Sequence, residues 1–180
     1  MSATADRRVL IAGIGNVFLG DDGFGVEVVA RLDVSTLPAS ARVADYGVAG
    51  VHLAYDVLDG HYETLIIVDA APVGGPPGTL AVLRCGLGEQ TAELPAPVTV
   101  DGHAMTPQTV LQVLGTLGCQ QLEVLLVGCQ PAVLDEHMGL SETVRGAVPG
   151  AAELARSLAW EAVAGSPAGT ADAEMERAGA

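Results

Sequence analysis

The sequence predicts an α/β fold: a single domain built on a mostly parallel twisted sheet with helices on both faces. Three features predict it. An apolar run over residues 9–12 ends in Gly13-Ile14-Gly15, and a helical pattern follows over 23–32. Thr64-Leu65-Ile66-Ile67-Val68 is unbroken by polar alternation, as expected of a strand buried on both faces. Strand-like and helix-like segments then alternate along most of the chain, the pattern of a parallel sheet with crossover helices.

Taken in order, residues 9–14 form the first strand and 23–32 the first helix. Residues 41–45 form a short strand ending at Asp45, with Tyr46-Gly47-Val48-Ala49-Gly50 as a loop. Val51, Leu53, Ala54, Val57 and Leu58 make a helical stripe stopped by Asp59-Gly60. The buried strand at 64–69 closes on Asp69, and Gly74-Gly75-Pro76-Pro77-Gly78 turns the chain into an edge strand over 79–83. Residues 85–101, with Pro95 and Pro97, read as irregular. Thr106 caps a helix that has Pro107 at its first position and runs to about Leu114. A last core strand covers 122–128, and a final helix spans 141–163, with a break expected at Pro149. Residues 1–8 are expected to be flexible, 9–164 to form the domain, and 165–180 to be a disordered tail. No internal repeat or second domain is visible.

With 22 acidic and 8 basic residues, the formal charge is -14. Such a surface repels nucleic acid and anionic membranes and favours cations. No apolar run approaches the ~20 residues that cross a bilayer. The first eight residues lack a signal peptide's apolar core, so a cytoplasmic location is expected. Cys85, Cys119 and Cys129 are odd in number and far apart, which suits reduced thiols rather than a disulfide frame or a zinc ribbon. Cys129 ends an apolar strand and reads as core.

Right-handed crossovers gather the C-terminal ends of parallel strands on one edge, where open α/β sheets bind ligands. The Asp21-Asp22 turn, Asp45, Asp69 and Gln130 meet there. A nucleotide turn would leave backbone N–H groups free for phosphate at the first helix. Two aspartates instead oppose a pyrophosphate, and Phe18 stands where the dinucleotide fingerprint needs a third glycine. One aspartate reads as the N-cap of that helix, and if Asp21 caps, Asp22 points across the edge toward Asp69. Asp69 itself reads either as a turn-forming residue or as a functional carboxylate, which is costly there unless paired or on a metal. Of four histidines, His103 sits on a loop beside Gly102 and is the candidate ligand. His52 and Asp56, at i,i+4, read as a surface pair, while His61 and His137 lie by turns. Two aspartates and a histidine suit a borderline divalent ion such as Ni²⁺ or Zn²⁺. No His-Glu-x-x-His, Gly-x-Ser-x-Gly or Walker loop is present, so activation falls to metal and positioning.

These residues resemble the hydrogenase maturation proteases, endopeptidases that trim the C-terminal extension of the [NiFe]-hydrogenase large-subunit precursor. The resemblance is carried by Gly13-Ile14-Gly15-Asn16 with Gly20-Asp21-Asp22-Gly23-Phe24-Gly25. Further along it is carried by Ile67-Val68-Asp69-Ala70, by Asp101-Gly102-His103-Ala104-Met105-Thr106-Pro107, and by Gly128-Cys129-Gln130-Pro131. It implies that Asp22, Asp69 and His103 are the metal ligands and catalytic set, and that nickel arrives already installed in the client. Asn16, Asp45 and Gln130 are candidate substrate contacts. The family's loop after the second strand often begins Asp-Gly-Gly, whereas here it reads Asp45-Tyr46-Gly47. Two other classes compete: a non-catalytic metal or maturation chaperone that binds the same precursor, and a nucleotide-dependent oxidoreductase, which Asp21-Asp22 disfavours.

Overall fold

The computed structural model describes residues 7–87, 106–119 and 121–165. Along the chain come β1 (Val9–Ile14), α1 (Phe24–Arg31), β2 (Ala41–Gly47), α2 (Gly50–Asp59), β3 (Thr64–Ala70), β4 (Leu80–Cys85), α3 (Pro107–Thr116), β5 (Glu123–Cys129) and α4 (Glu142–Ala164). The strands form one sheet in the order β2-β1-β3-β5-β4. The first four are mutually parallel and β4 is antiparallel to β5. A parallel crossover needs about a dozen residues or more. The turn-rich link after β3 is too short for one, so β4 returns antiparallel as an edge.

Alternate side chains of the central strands feed two cores. Val9, Ile11, Ile66, Val68, Leu125 and Val127 face α1 and α4. Leu10, Ala12, Leu65, Ile67, Val124 and Leu126 face α2 and α3. This is why β3 is apolar from Leu65 to Val68: each of these residues meets a helix layer, and none meets water.

Most elements fall where the sequence predicts them. Thr106 caps α3 by accepting a hydrogen bond from Thr109 N at 3.3 Å, with Pro107 in the first turn. Two differences stand out. The second strand runs two residues past Asp45, through Tyr46 to Gly47. The last helix is continuous through Pro149. Pro149 and Arg145 are both exposed, so the carbonyl that proline leaves without a partner can be served by water. A break there would cost the burial of Val144, Val148, Ala151 and Ala155 on one face. Residues 1–6, most of the irregular segment at 88–101 and the tail at 166–180 lie outside the described residues.

The first turn of α1 presses directly onto β1 and β3. A Cβ built on Gly25 would lie 2.1 Å from Val68 O and 2.4 Å from Ile14 O. One on Gly13 would lie 2.5 Å from Gly25 O. Those neighbours are backbone and cannot rotate away, so Gly25→Ala is expected to destabilise the fold by about 3 kcal/mol in urea denaturation. Gly146 in α4 has nothing within 4 Å of its added Cβ. Gly146→Ala should therefore stabilise by about 0.5–1 kcal/mol in the same assay.

Candidate active site

The chain leaves β1 toward β2 on one side and later fills β3 on the other, so the order of strands reverses between β1 and β3. Ligand crevices of open α/β sheets form at such switch points, beyond the strand C-termini. Here that point of the sheet edge is held by Gly15, which is buried. Its φ is +129°, and an added Cβ would lie 1.9 Å from Asp22 O and 3.7 Å from Asp69 Oδ1. Only glycine lets β1 turn here while two acidic residues close around it.

Asp22 and Asp69 come from different elements. A 3-10 turn, Gly20–Gly23, leads into α1 and carries Asp21 and Asp22. Asp22 Oδ2 accepts a hydrogen bond from Asn16 N at 2.8 Å. Asn16 in turn accepts from Phe18 N through Oδ1 at 3.0 Å, so its side chain braces the turn. Asp69 is buried at the end of β3. Burial lifts the Asp22 carboxyl above its ordinary pKa, against the pull of the Asn16 N–H. Burial, then the charge of Asp22, lift that of Asp69 well above its ordinary pKa, with the Ala70 N–H acting the other way. No cationic side chain among the described residues offsets either group. The pair therefore calls for positive charge, a proton or a cation.

Asp21 behaves differently from the N-cap the sequence suggests. The residue before α1 is Gly23, and no side chain caps that helix. Successive residues of a 3-10 turn point about 120° apart, which sends Asp21 away from the crevice. It is fully buried. Oδ2 accepts from Ala132 N at 2.8 Å, Val133 N at 2.9 Å and Ser141 Oγ at 2.9 Å, and Oδ1 from Ser141 N at 2.7 Å. Burial raises its pKa, but these bonds outweigh it and the net shift is downward. Asp21 thus clamps the 131–141 loop and the start of α4 onto the turn that presents Asp22. Its partners are more than a hundred residues away, and no local pattern signals them.

The other expected site residues divide. Asp45 is exposed, and its Oδ1 accepts from Gly47 N at 2.8 Å. Gly47 O then accepts from Gly15 N at 2.9 Å, so Asp45 shapes the strand that borders the crevice. Gln130 Oε1 accepts from Val73 N at 3.0 Å and Gly74 N at 3.1 Å, fastening the loop after β3. His103 lies outside the described residues. Asp56 accepts the Tyr46 hydroxyl at 2.8 Å, a different bond from the His52 pairing expected on α2. Cys129 is buried, and its thiol is pushed up to about 11, mainly by burial, so it stays protonated and unreactive at neutral pH. Among the described residues, no three His, Cys, Asp or Glu side chains gather as a metal-holding group. The two carboxylates at Gly15 supply hard oxygen donors and unmet negative charge, which fits a cation completed by a further ligand.

A sequence model of hydrogenase maturation proteases matches residues 26–158. The chain belongs to that family. It is 33% identical over 150 residues to the hydrogenase 2 maturation protease of Escherichia coli, covering 81% of this chain and 87% of that one. It is 34% identical over 153 residues to a putative hydrogenase maturation protease of Methanocaldococcus jannaschii, covering 82% and 94%. Among solved structures, the hydrogenase maturating endopeptidase HybD of E. coli superposes with a TM-score of 0.69 at 30% identity, over 86% of this chain and 93% of that one. The family is one of peptidases, and the sheet order described above is therefore a protease scaffold here rather than a nucleotide-binding one.

Within this maturation protease, substitutions at Asp21 and Asp69 should change stability in opposite directions. Asp21→Ala strands three backbone donors and a hydroxyl, and should cost about 3 kcal/mol or more in chemical denaturation. Asp69→Asn should do the reverse to stability. A carboxyl raised in the fold favours folding while protonated, fully below its unfolded value near 3.8, and loses that contribution as pH rises through the native value. The Asn variant should melt higher than the parent near about pH 8, with the gap closing toward about pH 4 in a thermal scan series.

Proposed function

We propose that this protein is a processing endopeptidase that removes the C-terminal extension of a [NiFe]-hydrogenase large-subunit precursor, and that it reads the nickel the precursor already carries. The observation that carries the reading is the pairing of Asp22 and Asp69 around Gly15 at the sheet's switch point, with no cationic side chain among the described residues to balance them. Membership of a peptidase family supplies the reaction class.

On this reading Asp22, Asp69 and His103 grip the ion that the client brings. Nickel supplies Lewis-acid polarisation of the bound peptide carbonyl. The protein's share is positional. Asn16 N–H holds the Asp22 carboxylate in one orientation. Gly15, without a side chain, lets the Asp22 backbone close against the end of β1. A cation held between Asp22 and Asp69 would balance both charges. The Cys85 and Cys129 thiols are each pushed up to about 11 by burial, so neither serves as nucleophile and water is the attacking group. On this reading the chain works in the cytoplasm. No helix among the described residues is long and apolar enough to cross a membrane.

Incubation with nickel-loaded and nickel-free precursor should shorten only the loaded form by mass spectrometry. Equal cleavage of both removes nickel reading, and stable binding without shortening favours the chaperone alternative. Alanine at Asp22, Asp69 or His103 should lower processing by roughly a hundredfold or more, since outer-shell partners of a metal alone are worth 10–100-fold. Circular dichroism should show each variant folded.

A further inference from the structure

Asn16 follows Gly15 at the end of β1, and nearly all of its hydrogen-bonding capacity is spent inside the protein. Its backbone N–H donates to Asp22 Oδ2 at 2.8 Å. Its backbone carbonyl accepts from Leu19 N at 3.0 Å. Its side-chain Oδ1 accepts from Phe18 N at 3.0 Å. That last bond fixes which end of the amide is which, because a carboxamide NH2 accepts no hydrogen bond. The two N–H groups on Nδ2 are what remains. They have no acceptor among the described residues, where the buried side-chain atoms left without a partner are those of Ser40 and Thr64. Asn16 itself is half-buried, so Nδ2 keeps access to whatever lies outside.

The amide is therefore pinned through its oxygen and open through its nitrogen. Four bonds separate Asn16 N from Nδ2, which keeps the donor within ~5 Å of the atom that holds Asp22. We propose that Asn16 Nδ2 is a catalytic hydrogen-bond donor that binds the carbonyl oxygen of the scissile peptide bond as negative charge collects on it.

The inference rests on the endopeptidase reading above and asks nothing of the client's side chains, since every peptide bond carries that oxygen. In the hydrolysis, water's oxygen bonds to the carbonyl carbon and the carbonyl π pair moves onto its oxygen. The charge formed there is shared between Nδ2–H and the ion the client brings. When the pair returns, the C–N bond breaks, and the proton given up by the water ends on the leaving nitrogen. A donor already oriented costs no reorganisation at that moment. Phe18 N supplies the orientation, and donating through nitrogen disturbs neither that bond nor the one to Asp22. A contact that strengthens with the developing charge raises kcat more than it raises affinity.

Kinetics on the precursor that the parent protein cleaves provide the main test. Asn16→Asp and Asn16→Ser both keep an oxygen able to accept from Phe18 N, and so keep the turn. Neither carries an amide donor in the place of Nδ2, and the serine variant adds no charge beside Asp22. Each should lower kcat roughly a hundredfold while KM stays within about twofold. Circular dichroism checks that both variants fold. Parental kcat in either variant, or a loss carried by KM, overturns the role while leaving the endopeptidase reading standing. A parent protein that cleaves no precursor overturns that reading and the role with it. A second measurement needs neither variant nor client. In NMR of the full chain alone, the Asn16 Nδ2 protons should exchange quickly with water while the Phe18 amide proton is protected. Slow exchange at Nδ2 reveals an internal acceptor and overturns the proposal.

Discussion

Everything at the sheet edge depends on how closely α1 is allowed to approach β1 and β3. Gly13 and Gly25 remove the two side chains that would hold them apart, so helix backbone rests on strand backbone. The approach fixes where the turn before α1 can lie, and that turn carries Asp22 to Gly15 and thus to Asp69. A helix seated farther out by the width of a methyl group would still cover the apolar face, but would separate the carboxylates. The apolar contacts therefore secure the fold, and the glycines set the distance across the site. Dense packing makes that distance a property of the whole α1–sheet interface rather than of a flexible loop.

Asp21 and Asp22 show how one turn serves both stability and chemistry. Four donors converge on Asp21, so its charge is better solvated inside the protein than in water and its pKa falls. Asp22 has one donor, and Asp69 has the Ala70 N–H and a like charge nearby. The first arrangement ties the 131–141 loop and α4 to the turn. The second leaves two carboxyl groups at the sheet edge with no offsetting cationic side chain among the described residues. An excess of this kind costs stability in the resting protein, which is the usual relation between a binding site and its fold.

How much of this was legible in the sequence varies with the range of the interaction. The unbroken apolar run of β3 announces a two-layer environment because each side chain meets the nearest helix layer. Thr106-Pro107 announces a helix start because capping acts within one turn. Asp69 attracts attention because a carboxylate after four aliphatic residues is costly. The role of Asp21 was not legible, since Ala132, Val133 and Ser141 reach it only after the sheet has formed. Pro149 misleads for a related reason: its local penalty is real, but the apolar face of α4 packs on both sides of it and outweighs one lost hydrogen bond. Tyr46 and Asp56 belong to two elements whose packing brings them together, so the i,i+4 spacing of His52 and Asp56 pointed to the wrong partner.

The polar residues along this edge can be sorted by a single criterion, the hydrogen bonds their side chains already accept. Asn16 is engaged with Phe18 N, Gln130 with Val73 N and Gly74 N, and Asp21 with four donors. Each fixes one loop, and each would have to release backbone groups to take a cation, leaving those groups unpaired in a partly dry setting. Asp22 and Asp69 would release little, and their demand for positive charge is unmet. Proximity to the strand ends gathers all these side chains at one place, and so cannot by itself tell braces from ligands. Unmet demand among the described residues marks out the pair that flanks Gly15, and it is on this pair that the proposed function rests.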